Sequence, residues 1–163
     1  MIWVFHMQQL RETDRGVAKV QEILWLMLPG GKTLTELAEE GGYFHWNEQY
    51  LNAYVLLPPR KNEHVAFEIL RLNSKGPVLE KEVISHIAAR GKKSASVYEC
   101  LAFGARYPQF CRSDVPLVAL GRPSREGAFS GAFYLHGTPE KRMIGLSQGN
   151  GPWAPTVVFL LRA

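Results

Sequence analysis

The sequence predicts an α+β fold, helical in its first half and β at its end, on three observations. Apolar residues recur at helical spacing in four stretches before residue 105. Clusters of Gly and Pro cut the chain after residues 28, 57 and 73. Beyond Pro108, short apolar runs alternate with turn residues. At 163 residues, with 46% apolar, 21% charged and 11% aromatic side chains, the chain suits one ordinary domain or two small modules. That composition excludes a disordered or collagen-like chain.

The elements follow in order. Val17, Val20, Ile23, Leu24 and Met27 predict a helix over 14–28, which Pro29-Gly30-Gly31 ends. Thr33 then offers a cap, Glu36, Glu39 and Glu40 supply acids, and Gly41-Gly42 stops a second, short helix. Residues 43–57 carry Tyr43, Phe44, Trp46, Tyr50 and Tyr54 and suit a helix or a strand, with the helix favoured. Pro58-Pro59-Arg60-Lys61-Asn62 breaks whatever precedes it and is the best internal boundary.

Val65, Ile69 and Leu72, widened by Phe67 and Leu70, predict a helix over 63–73. Leu79, Val83, Ile84 and Ile87 predict another, with Arg90-Gly91 as its basic last turn and stop. Val97, Cys100, Leu101 and Gly104 share a face of a third, over 95–104, with Ser94 as its cap. Gln109–Arg112 and Pro116–Leu120 read as a hairpin across Ser113-Asp114-Val115. Residues 128–136, 143–147 and 155–161 read as a three-stranded antiparallel meander. The chain thus divides into a helical region over 1–59, a middle region over 60–125 and a β extension over 126–163.

Charge is uneven across these regions although the formal total is only +4. Residues 1–59 hold four Lys/Arg against seven Asp/Glu, residues 60–125 twelve against six, and 126–163 three against two. A basic surplus in the middle lets one face meet an anionic partner. No run approaches the roughly 18 apolar residues of a membrane span. The apolar start, Met1–Leu10, has no preceding basic segment and no following small-residue cleavage pattern, so the expected location is cytoplasmic. Cys100 and Cys111 match no metal-binding or disulfide framework. Buried free thiols are the expected state, with one disulfide left open.

Three helices followed by a hairpin is the order of a winged helix-turn-helix, whose third helix enters a DNA groove. The carriers are Val65-Ala66-Phe67-Glu68-Ile69-Leu70, Gly76-Pro77-Val78-Leu79 leading into Glu82-Val83-Ile84, Ile87-Ala88-Ala89-Arg90-Gly91, and Tyr107 to Arg112 leading to Leu117–Leu120. On these residues the stretch 63–122 resembles the HARE-type winged-helix domain. The resemblance implies an aromatic in the first wing strand, met by Phe110, and a glycine closing the second, met by Gly121. The wing itself is short.

The functional expectation is a DNA-binding or transcription-associated regulator without catalysis, metal or cofactor. Its double-stranded DNA contacts are assigned to Arg90, Lys92, Lys93, Ser94, Ser96 and Tyr98 around the third helix and to Arg112, Arg122 and Arg125 around the wing. The alternative is a regulator or inhibitor that docks another protein, from transcription or defence machinery, with Tyr43, Phe44, Trp46 and Tyr50 as contacts. A hydrolase or transferase comes third and would need His136 to face a carboxylate in a pocket. None of the zinc, phosphate-loop, dinucleotide or nucleophile-elbow motifs occurs, and Gly145–Gly151 reads as a turn.

Overall fold

The computed structural model describes residues 18–44, 59–111, 115–121, 132–138, 140–147 and 151–163, and one large curled mixed sheet organises them. The order is β1 (Ala18–Leu28), α1 (Leu34–Glu40), β2 (Tyr43–Phe44), β3 (Glu63–Leu72), β4 (Val78–Leu79), α2 (Glu80–Ala89), β5 (Lys93–Ser94) and α3 (Val97–Arg106). A single 3-10 turn (Pro108–Phe110), β6 (Leu117–Ala119), β7 (Ala132–Gly137), β8 (Arg142–Ser147), β9 (Pro152–Trp153) and β10 (Val158–Arg162) follow. The helical first half and the winged helix are therefore corrected: the stretches 18–28 and 63–72, expected as parts of helices, are strands β1 and β3, and the stretch expected as a helix over 43–57 begins as strand β2, the rest of it lying outside the described residues. Gln109 lies in the 3-10 turn rather than in a wing strand.

The misreading has a physical cause. Ile23–Leu28 is six consecutive apolar residues, which satisfies helical spacing and also period two. As a strand it turns Leu26 and Leu28 into the core and leaves Ile23, Trp25 and Met27 on the opposite face. In β3, Val65, Phe67 and Ile69 face one side and Leu70 and Leu72 the other, both buried, so the run lacks a clean alternation.

The sheet runs β1-β3-β10-β6-β7-β8-β2, with β5 also paired to β10. β10 joins β6 in parallel and β2 joins β8 in parallel; the other pairs are antiparallel. Strands β7 and β8 form the expected hairpin, but β10 does not extend it. It inserts between β3 and β6 at the centre. Each of the three stretches distinguished by sequence contributes strands to this one sheet.

Helix α3 lies in the concave face. It packs on both β1 and β7, which stand four strand spacings apart, roughly 19 Å in a flat sheet. A helix about 10 Å wide reaches both only because the sheet curls around it. Every residue from Val97 to Gly104 is buried. Phe103 is the centre of an aromatic cluster, edge-on to Phe67 at 5.6 Å and tilted against Tyr107 at 4.9 Å and Phe110 at 5.8 Å. Gly104 is required by close approach: a Cβ there would collide with the Tyr43 hydroxyl and Leu135 and stand 3.0 Å from Cys111 Sγ.

Caps explain why the three helices form where expected. The Thr33 hydroxyl accepts from the Glu36 N–H, and the Glu36 carboxylate accepts from the Thr33 N–H at 2.6 Å. Ser96 and Glu99 make the same reciprocal box on α3, so Ser96 and not Ser94 is its cap. Glu82 accepts from the Leu79 N–H at the start of α2. On the convex face α2 and the β4–β9 pair cover the middle of the sheet, Val83 and Ile87 meeting Leu70, Phe159 and Leu161. Among the described residues, no helix is long and apolar enough to cross a membrane.

Candidate docking face

Of the residues assigned to DNA contact, Lys92, Ser94, Ser96 and Tyr98 are engaged within the fold, whereas Arg90 and Lys93 are exposed. Lys92 follows α2 and its Nζ lies 2.7 Å from Glu68 Oε1, a carboxylate buried on β3. Lys93 and Ser94 form β5, and the Ser94 hydroxyl accepts from the Leu120 N–H at 2.7 Å. Ser96 is occupied in capping. Tyr98 is buried and its hydroxyl donates to the Pro29 carbonyl. Arg90 closes α2 and is exposed. The helix meant for a DNA groove is thus the core helix of the sheet, and the groove-reading arrangement falls with the winged-helix fold. Arg112, Arg122 and Arg125 lie outside the described residues.

Of the expected protein contacts, Tyr43 is core and Phe44 is exposed, while Trp46 and Tyr50 lie outside the described residues. The Tyr43 hydroxyl meets Cys111 Sγ at 4.0 Å, and burial pushes its pKa far up. Both cysteines are free and buried. Burial pushes the Cys111 thiol up to about 11 and the Cys100 thiol well above its usual value, so both stay protonated and unreactive at neutral pH. His136 has the Tyr134 ring as its neighbour, centroids 5.2 Å apart. Among the described residues, no group of three metal-ligating side chains converges.

Burial holds His136 below the usual histidine pKa of 6.5. The folded state therefore binds this proton less well than the unfolded chain, and the stability this contributes is full above about 6.5 and is lost as pH falls. Thermal unfolding at pH 7.5 and 5.5 is expected to show a small fall in the midpoint, part of which His136→Gln removes. A midpoint difference identical in the variant contradicts this.

What sequence reasoning missed lies on β1. The backbone orientation follows from one bond: the Ala163 N–H donates to the Ala66 carbonyl, so Ala66 points its backbone at β10. Trp25, opposite Ala66 in the β1–β3 register, is then a non-hydrogen-bonded pair, and the N–H and C=O of Ile23, Trp25 and Met27 point away from β3. Among the described residues β1 is a sheet edge. Tyr107 blunts it at one point, its hydroxyl donating to the Trp25 carbonyl at 2.7 Å.

An apolar row lies on one side of this edge and a groove of mixed lining on the other. On the convex face Ile23, Trp25 and Met27 form a row with 49%, 64% and 46% exposure. Helix α2 does not reach that far, because it covers Leu70 and Leu72 further along β3. On the concave side a groove of about 300 Å³ is lined by Leu26 and Met27 of β1, Leu37 and Glu40 of α1, and Ala102 and Arg106 of α3. The sequence holds six consecutive apolar residues at Ile23–Leu28, a run compatible with a strand as well as with a helix, so nothing in it singled out Trp25.

Compared with models of known protein families, with curated proteins and with solved structures, the chain has no significant match.

Proposed function

We propose that the protein is a non-catalytic binding protein that docks a protein partner on the outer face of β1. The observation that carries this is the contiguous row Ile23, Trp25 and Met27, with Trp25 two-thirds exposed at its centre. Isolated exposed apolar residues are ordinary, whereas a row on an edge strand marks an interaction site. Tryptophan is also the side chain that most often dominates such interfaces. The buried thiols speak against cysteine chemistry in particular. A protein is favoured over duplex DNA because Lys92 is taken by Glu68 and the first turn of α3 by its own capping box.

Photo-cross-linking in cells tests this, with p-benzoylphenylalanine at position 25 or, as control, at exposed Lys81 on α2. Adducts with protein are expected from position 25 and not from position 81. In parallel Trp25→Thr is expected to keep its unfolding midpoint within about 3 °C, since exposed substitutions usually cost under about 0.5 kcal/mol. No adduct from position 25, or a fall above about 10 °C, overturns the reading.

A further inference from the structure

The edge of β1 specifies the kind of partner that fits it. The N–H and C=O groups of Ile23, Trp25 and Met27 point outward, and among the described residues no strand meets them. Outward groups on every second residue are a half-ladder that another extended chain completes. Tyr107 takes one acceptor site of the Trp25 carbonyl, and a carbonyl oxygen has two. A strand seated on this edge lies about 4.8 Å from β1, with side chains alternating between the two faces. Those opposite Ile23, Trp25 and Met27 join the exposed apolar row. Those opposite Leu24 and Leu26 lie over the groove between β1, α1 and α3.

Charge in that groove narrows the choice. Its lining carries Glu40 and Arg106. Glu40 pairs with Lys32. Arg106 is exposed over the Tyr107 ring, 5.3 Å from its centre, and among the described residues it meets no carboxylate. The bond from the Tyr107 hydroxyl to the Trp25 carbonyl holds the end of α3 alongside the middle of β1, which sets Arg106 beside the vacant edge. Resting on the docking reading, we infer that the partner presents an extended segment that adds to β1 as a strand. Its side chains are apolar on the face that meets Trp25 and include a carboxylate on the face that meets Arg106.

Amide exchange of the full chain, read by NMR during titration with a synthetic peptide of about eight residues, tests this. The peptide alternates valine with threonine, and one central threonine is replaced by glutamate. It is expected to slow exchange at Ile23, Trp25 and Met27 at least tenfold, while the amides of Leu24 and Leu26, already bonded to β3, stay as they are. The same peptide N-methylated along its backbone loses its ladder donors and is expected to bind at least tenfold more weakly. Arg106→Glu is expected to weaken binding of the glutamate peptide about threefold, the size of an exposed ion pair, and to favour a peptide with lysine in its place. Unchanged exchange at millimolar peptide, binding indifferent to N-methylation, or equal affinity of the parent chain for the glutamate and lysine peptides overturns the inference. If position 25 cross-links to protein in cells while the three amides stay fast, the added-strand inference alone fails. If position 25 gives no adduct at all, the docking reading itself fails.

Discussion

Phe103→Ala is expected to cost about 4 kcal/mol and to lower the unfolding midpoint by roughly 10 °C. The side chain is fully buried on α3, edge-on to Phe67 from β3 and against Tyr107 and Phe110 beyond the helix. Its removal empties the axis around which the sheet curls, and the backbone of β1, β3 and β7 cannot all close on the space. With total stabilities of about 5 to 15 kcal/mol, that loss is a large share. Phe103→Leu, which keeps most of the volume, is expected to lose well under half as much. Urea unfolding of the three proteins checks the order. Equal midpoints for Phe103→Ala and the parent chain would mean that α3 is not the core helix.

Lys92→Glu is expected to lose about 3 kcal/mol. Glu68 is 6% exposed, and its ion pair with Lys92 at 2.7 Å compensates a carboxylate held out of water. Breaking such a pair from one side costs about 3 to 5 kcal/mol, and the partial exposure of Lys92 places the effect at the lower end. The reversed pair, Lys92→Glu with Glu68→Lys, is expected to recover at least half the loss. A surface lysine awaiting phosphate would behave differently: its reversal would leave stability unchanged. Thermal denaturation of the single and double variants separates the two roles, and a stable single variant would restore Lys92 to the surface.

How much of this was legible depended on whether the signal was local. The three helices carry their own start signals in sequence, Thr33 with Glu36, Glu82 reaching back to Leu79, and Ser96 with Glu99. Strands β1 and β3 carry an ambiguous one. Val65, Ile69 and Leu72 coincide with a helical stripe, yet β3 is buried on both faces, and burial on both faces removes the polar alternation that identifies a strand. The place of β10 between β3 and β6 was not legible at all, because nothing within residues 158–162 states which distant strand they pair with. The HARE-type resemblance rested in part on the mostly apolar stretch Val65–Leu70, and such a stretch serves a central strand as well as a helix.

The candidate site failed to appear for the same reason. Once Ile23–Leu28 is read as a helix, Trp25 becomes one more position around a cylinder. As an edge strand it becomes the centre of an exposed row with a groove on its other side. The basic residues drew attention because charge is visible in a sequence, whereas the Glu68 carboxylate that occupies Lys92 is 24 positions away along the chain and meets it only in the fold.

Amide hydrogen exchange along β1, read by NMR, tests most directly the claim that the exposed row lies on an uncovered edge strand. The N–H groups of Leu24, Leu26 and Leu28 bond to β3 and are expected to exchange slowly, as are those of Cys100 to Gly104 in α3. Those of Ile23, Trp25 and Met27 point outward and are expected to exchange at least a hundredfold faster in dilute protein. Equal protection along the whole of β1 would mean that its outer edge is paired within the chain and would contradict the account.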